Sequence, residues 1–277
     1  MSLPKYSVLM SIYVKEKPEY FREALESMIN QTVKPDEILI VEDGPLTESL
    51  YAVLDEYKAK YPQILHSIRN EKNLGLGLAL NAGLKECRNE LVARMDTDDI
   101  SVPNRCEKQL EAFVEKPNLD IVGGNITEFI DSIDNKVGVR VVPQTNLEIR
   151  EYLKKRCPLN HVTVMFKKSS IQKVGGYVDW FWNEDYYLWI RMYLADMIFA
   201  NVPETLVNVR VGKEMYQRRG GKKYFLSEYG LQKLMLKKKI ISFFTFIDNV
   251  IKRFFVQLLL PNKVRGWIFK KFARRPE

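Results

Sequence analysis

Histidine and cysteine are scarce in this chain: two His and three Cys among 277 residues. His66 and His161 stand far apart, which excludes a histidine-rich metal centre. Cys87, Cys106 and Cys157 form no Cys-x-x-Cys pair, so neither a zinc site nor a disulfide framework is indicated. No Ser-His-Asp or Cys-His pairing is visible, so covalent catalysis has no obvious nucleophile. Internal repeats and low-complexity tracts are absent. No secretory signal precedes the first strand-like segment at Tyr6, and a cytoplasmic location is expected by elimination.

Charge is present in quantity but is unevenly placed. The net charge is +8. Residues 213–277 carry 17 Lys/Arg against 4 Asp/Glu, or +13, which leaves −5 on residues 1–212. An acidic body with a basic tail points to a polyanionic partner of the tail, either nucleic acid or an anionic membrane surface. Two units are expected: a catalytic domain over 1–212 and a basic helical extension over 213–277.

The first half alternates strand and helix signals. Tyr6–Tyr13, Glu37–Val41, Ile64–Ile68 and Leu91–Met95 read as buried strands, and Asp120–Val122 begins another. Helices are predicted from Pro18 to Asn30 and over Leu46–Lys60, Leu76–Arg88 and Pro103–Glu115. This order predicts an α/β fold with a mostly parallel central sheet covered on both faces. Further on, Asn125–Ile130 and Val137–Val142 flank the turn-forming Ser132-Ile133-Asp134-Asn135 as a hairpin. Helices are expected over Asn146–Lys155 and Asp185–Ala195, with strands at Val162–Phe166, Ile198–Val202 and Thr205–Val209. Gly212–Gly221 reads as a loop.

Three carboxylates crowd into Asp96-Thr97-Asp98-Asp99, just after the apolar run Leu91-Val92-Ala93. Like charges so close raise one another's pKa unless a cation neutralises them. Mg²⁺ commonly takes one or two carboxylates together with substrate phosphates. A strand-end position favours a ligand site over a solvated acidic turn, because open α/β sheets bind ligands at the carboxyl ends of their strands. Glu42-Asp43-Gly44-Pro45 ends the second strand, where a carboxylate can accept hydrogen bonds from a ribose or base; a turn or N-cap aspartate is the alternative. Asn73-Leu74-Gly75 opens a helix whose first amides suit an anion. It is neither a dinucleotide fingerprint nor a P-loop. Asp185 lies among Trp180, Phe181, Trp182, Tyr186, Tyr187 and Trp189, surroundings that desolvate a carboxylate and strengthen it as a base. Helix capping is the competing role.

Taken in order, these segments resemble the family 2 glycosyltransferases of GT-A fold, in the branch that builds bacterial capsule or exopolysaccharide. The resemblance runs from Tyr6 to about Arg210. It rests on Asp96-Thr97-Asp98 as the Asp-x-Asp motif, within a string from Ala93 to Ile100 followed by Pro103, Arg105 and Gln109. Glu42-Asp43-Gly44, Asn73-Leu74-Gly75 with Ala79 and Asn81, and Glu184-Asp185 with Leu188-Trp189-Ile190-Arg191 complete it. The resemblance implies a nucleotide-sugar donor, with a UDP-sugar favoured. Asp96 and Asp98 would hold the ribose and a Mg²⁺ or Mn²⁺ ion on the diphosphate. Glu42, Asp43, Asn73, Gly75 and Arg94 would serve the donor, and Asp185, with Glu184, would supply the base. His161 and Trp182 are expected on the acceptor side, and a structural histidine is an equal alternative for His161. Two departures stand out. Leu80 occupies a position that is often basic in the family, and the Gln-x-x-Arg-Trp motif of processive synthases is missing. Transfer of a single sugar is therefore expected, onto a glycan or polyprenyl-linked acceptor.

Ile240–Leu260 carries Ile240, Phe243, Phe244, Ile247, Val250, Ile251, Phe254, Phe255 and Leu258 on one helical face, and Ser242, Thr245, Asp248, Asn249, Lys252, Arg253 and Gln257 on the other. Polar residues in the middle rule out a membrane span. With Lys237-Lys238-Lys239 before it and Lys263, Arg265, Lys270, Lys271, Arg274 and Arg275 after, the segment suits an anionic membrane interface, peripheral at the inner face of the cell membrane. An ordinary helix packed on the catalytic domain is the alternative. Nucleic acid is not expected as a partner, since the charge is confined to this tail. Two other function classes are open: a haloacid-dehalogenase-like phosphotransferase, and a non-enzymatic basic protein that binds nucleic acid or membrane. In the first, the Asp-x-Asp motif normally lies near the start of the chain, whereas here three strands come first.

Overall fold

The computed structural model describes residues 3–212 and 220–260. The Arg218-Arg219 pair, most of the Gly212–Gly221 loop and the basic residues from Lys263 to Arg275 lie outside the described residues. Strands β1 (Tyr6–Ile12), β2 (Glu37–Asp43), β3 (Leu65–Asn70) and β4 (Leu91–Met95) alternate with helices α1 (Pro18–Ile29), α2 (Glu48–Lys60) and α3 (Leu76–Glu86). They pair in parallel in the order β3-β2-β1-β4. This is the arrangement that buried apolar strands with helical crossovers dictate.

Beyond β4 the sheet becomes mixed. The following elements are β5 (Ile100–Ser101), α4 (Arg105–Glu115), β6 (Ile121–Ile130), β7 (Ser132–Arg140), α5 (Asn146–Leu153), β8 (Met165–Lys167), α6 (Lys168–Lys173), α7 (Glu184–Leu194) and β9 (Phe199–Arg210). β8 runs antiparallel to both β4 and β6, while β9 is parallel to β6 and antiparallel to β5. The predicted pair of short strands after Ile198 is one strand, β9, that shifts register around Pro203. The hairpin of β6 and β7 turns at Asp131, with φ of 59°, and β7 already begins at Ser132 within the expected turn.

Period-two alternation divides the sheet between two cores. Val8, Met10, Ile12, Ile38 and Ile40 face α1, α2 and α4, while Leu9, Leu39 and Val41 face α3, α7 and the helices beyond. Two more helices follow, α8 (Lys222–Lys237) and α9 (Phe243–Phe254), and a π-helical turn ends the described chain at Phe255–Leu259. Leu231 and Met235 of α8 belong to the second core. The single helix expected over Ile240–Leu260 thus starts at Phe243, where the Ser242 hydroxyl caps the Thr245 amide at 3.2 Å.

The predicted strand Val162–Phe166 is replaced by a 3-10 turn at His161–Thr163 before β8. Thr163 causes this: its amide and its hydroxyl both donate to the Asn160 carbonyl, which pulls the backbone into a turn. Gln109 of α4 braces the same place. Fully buried, its amide nitrogen donates to the carbonyls of Val122 and Thr163, each at 2.8 Å. Gln109→Ala leaves both carbonyls buried without this donor. We expect a loss of about 1–3 kcal/mol in urea-induced unfolding, against no change for an exposed control such as Glu115→Ala.

Candidate active site

β1, β2 and β4 end together at one edge of the sheet. A cleft of about 630 Å³ opens there, lined by Tyr13, Asp43, Gly75, Asp96, Asp98 and Glu184 among others. Carboxylate oxygens of Asp96, Asp98 and Asp99 lie within 4.8 Å of one another, a hard-oxygen donor set suited to a divalent cation. Burial, and next the neighbouring Asp96, push Asp98 up to about 6. Asp99 is raised well above the ordinary carboxylate range, by burial and then by Asp98. It accepts the Arg210 amide at 2.8 Å.

Arg94 balances this charge from below. Its guanidinium is buried and grips both oxygens of Asp96, one from Nη1 at 2.6 Å and the other from Nη2. Arg94 is not itself among the cleft-lining residues; it meets the cleft through Asp96. Arg210 bonds the Asp98 and Asp131 carbonyls and pairs with Glu23.

Asp43 faces the cleft, whereas Glu42, one residue earlier on the strand, points to the opposite side. Glu42 is buried against Ser67 and Arg69. Strand neighbours alternate faces, so Asp43 lines the cleft and Glu42 does not. Asp43 takes hydrogen bonds from the amides of Leu74 at 2.9 Å and Gly75 at 3.0 Å, and the Asn73 side chain donates to the Asp43 carbonyl. Asp43, Asn73 and Gly75 thus form one corner of the cleft at the start of α3. Gly44, with φ of 88°, must be glycine: a Cβ would come within 2.7 Å of the Asn73 nitrogen.

Glu184 and Asp185 open α7. Glu184 lines the cleft, and burial together with Asp185 raises it to about 7. Asp185 is not among the cleft-lining residues. Its carboxylate accepts the Tyr186 amide at 2.6 Å and faces the Cys157 sulfur at 3.7 Å, and burial raises its pKa. Trp182 stands at the rim, 49% exposed, with φ of 55° and its ring stacked on Phe181 at 4.7 Å. His161 instead bonds the Tyr177 hydroxyl at 2.9 Å, edge-on to Trp189, and burial keeps it neutral. His161 is not among the cleft-lining residues.

Sequence reasoning missed Tyr13, Asp179 and Ser227. Tyr13 follows β1 at the cleft, and the strand-end rule used for Asp96 would have found it. Ser227 of α8 donates to the Phe181 carbonyl at 2.7 Å and accepts from Asn183 at 3.0 Å, so it clamps the loop that carries Trp182. No local signal marks a contact across 46 residues.

The Asp-x-Asp cluster and Glu184, the first residue of α7, thus line one strand-end cleft. The profile described as Glycosyl transferase family 2 matches residues 7–175. The chain belongs to that family and is a glycosyltransferase. It is 42% identical over 272 residues to the UDP-Gal:alpha-D-GlcNAc-diphosphoundecaprenol beta-1,3-galactosyltransferase of Escherichia coli, covering 98% of each chain. It is 38% identical to the amylovoran biosynthesis glycosyltransferase AmsE of Erwinia amylovora, over 96% of this chain and 98% of that one. In structure it resembles Staphylococcus aureus TarS, with a TM-score of 0.63 and 17% identity, over 96% of this chain and 48% of TarS. It also resembles a Pyrobaculum calidifontis mannosyltransferase described in complex with GDP-Man and Mn²⁺, with a TM-score of 0.63, 13% identity, and 95% and 72% coverage. These two likenesses show the GT-A fold alone. Membership of the family sets aside the phosphotransferase and the non-enzymatic alternatives.

The acidic cluster predicts its own test. Asp98→Asn removes a charge that burial and Asp96 oppose. We expect the melting temperature of metal-free protein to rise by about 2–4 °C for each ~1 kcal/mol of relieved repulsion. A divalent cation such as Mn²⁺ held by the cluster would stabilise the wild type in the same scan, and Asp98→Asn should abolish that gain. Such a cation would have to displace a proton from Asp98, so its affinity in titration calorimetry should fall as pH drops below about 6.

Proposed function

We propose that this glycosyltransferase inverts the sugar it moves and depends on a divalent metal. It transfers one sugar from a UDP-sugar to a polyprenyl-diphosphate-linked glycan, in the assembly of a bacterial surface polysaccharide such as capsule or exopolysaccharide. Residues 1–212 carry the catalytic machinery, and residues 213–277 hold the enzyme at the inner face of the membrane. What supports this reading is that the Asp96–Asp98 cluster and Glu184 line one strand-end cleft, with Asp185 directly behind Glu184 at the start of α7. The names of the relatives support the lipid-linked acceptor and the polysaccharide setting.

The residues divide the work. Asp43, Asn73 and Gly75 form the corner for the nucleoside, and Asp96, fixed by Arg94, faces the ribose. Asp98, with Asp96, would hold Mg²⁺ or Mn²⁺, which when bound stabilises the departing diphosphate. Glu184 walls the donor side. Asp185 removes the proton from the acceptor hydroxyl as its oxygen bonds to the anomeric carbon and the bond from that carbon to the diphosphate breaks. Attack opposite the leaving group inverts the centre in a single displacement. A desolvated carboxylate suits the base role, because its raised pKa strengthens proton transfer. Trp182 offers an exposed ring face to the acceptor sugar.

The test begins with a thermal-shift panel of UDP- and GDP-sugars with and without Mn²⁺. Stabilisation by a UDP-sugar only when metal is present is the expected result. Transfer is then assayed onto a GlcNAc-diphosphate carrying a short alkyl chain. Asp185→Asn should lower kcat by about 10²–10⁴-fold while donor binding survives, and Glu184→Gln should retain more turnover. A Glu184→Gln variant that fails while Asp185→Asn turns over would move the base to Glu184.

A further inference from the structure

α9 is mounted with its polar face inward. Asn249, only 3% exposed, donates to the Lys154 carbonyl at 2.9 Å and to Gln232 of α8 at 2.8 Å. Arg253 pairs with Glu228 of α8 at 2.7 Å and bonds the Lys155 carbonyl at 2.9 Å. Gln257 in the following turn also donates to Glu228. The apolar face is left to solvent: Phe244 is 84% exposed, and Phe243, Ile247, Ile251, Phe254, Phe255 and Leu259 accompany it. Helices of globular proteins ordinarily bury the apolar stripe. An exposed patch of this kind marks an interaction surface.

The surroundings of the patch select its partner. Exposed Lys237, Lys238 and Lys239 lie just before α9, and Lys252 lies on it. The residues after 260 add six Lys/Arg and one Glu. An apolar ridge with a cationic fringe matches an interface of acyl chains below anionic headgroups. No described helix is long and apolar enough to cross a membrane. The ridge also adjoins the mouth of the cleft. Rings run from Trp182 to Tyr224 at 6.4 Å, then from the adjacent Phe225 to Phe254 at 6.0 Å and on to Phe255 at 5.9 Å.

We propose that the outward Phe/Ile/Leu face of α9 lies in the interfacial layer of an anionic phospholipid membrane, as a docked part of the fold, with the acceptor-side rim at Trp182 turned to the same surface. This deepens the functional reading above and rests on its lipid-linked acceptor. A sugar diphosphate held by a membrane-embedded chain would then meet the cleft at its rim, and Ser227 and Glu228 would hold rim and ridge in one frame through α8.

The test is co-sedimentation of the full chain with vesicles of phosphatidylcholine alone or mixed with phosphatidylglycerol. The wild type should pellet with the mixed vesicles and bind them at least tenfold more tightly than neutral ones. Phe244→Glu/Ile251→Glu, at two exposed positions, should lose at least tenfold in binding and keep the wild-type melting temperature; Phe244→Ala/Ile251→Ala serves as a second variant if the glutamates perturb the fold. Unchanged binding by a folded variant would overturn the proposal, as would absence of wild-type binding. A concentration-dependent dimer that the substitutions abolish, without vesicle binding, would assign the face to a second copy and also overturn it. Transfer to the short-chain soluble acceptor separates the two readings. Equal rates for wild type and variant are expected there, whereas no transfer by either would sink the glycosyltransfer scheme and leave the sedimentation result standing.

Discussion

A guanidinium buried at the end of a strand is costly unless a carboxylate meets it in good geometry, and removing either partner leaves the other charge uncompensated. Arg94 and Asp96 meet that condition with a bidentate grip. Much of the cleft follows from this pair. It fixes Asp96 at the mouth of β4, supplies the positive charge beside three crowded carboxylates, and helps keep His161 neutral. Asp98 and Asp99 remain raised despite it. Burial first, and crowding second, disfavour the charged form of these carboxylates, a penalty that a bound cation would relieve.

Support for the pair comes from residues that touch no substrate position. Arg105, fully buried, donates to the Arg94 carbonyl at 2.6 Å and to Gln109, and Gln109 ties β6 to the turn before β8. Burial lowers Arg105 to about 10, yet it stays protonated at neutral pH. The string from Ala93 to Gln109 thus reads as one device: a strand, a metal-competent turn, and a helix that returns to brace the strand. On the other wall, Asn81 binds the backbone of Tyr177, and Gly176 leaves room for it, since a Cβ there would fall 2.4 Å from the Asn81 oxygen. α3 and the loop leading to α7 are joined in this way, and the donor corner is held against the Glu184–Asp185 pair.

The parallel half of the sheet was legible because apolar strands alternate with amphipathic helices at regular spacing. The cleft was legible because carboxylates at strand ends carry a physical expectation of their own. What escaped is instructive. Glu42 and Asp43 are chemically alike in the sequence, and only strand alternation, with Ser67 and Arg69 waiting on one side, separates a structural role from a site role. The burial of Arg94 and its grip on Asp96 are likewise absent from any local pattern, because they depend on how β4 packs. Val162–Phe166 has strand composition, and the local bonds of Thr163 to Asn160 overrode it.

The C-terminal helices sharpen the same point. Periodicity located the apolar stripe of α9, and periodicity alone cannot say which face turns inward. The choice is made by long-range polar partners: Glu228 and Gln232 on α8 and two carbonyls at the end of α5 accept hydrogen bonds from the polar stripe. Inverting the helix would take these donors away from Glu228, Gln232 and the carbonyls of Lys154 and Lys155 while covering a few phenyl rings. Polar satisfaction outranks apolar burial at this seam, and the exposed rings become the outer surface of the frame in which Ser227 fixes the loop bearing Trp182.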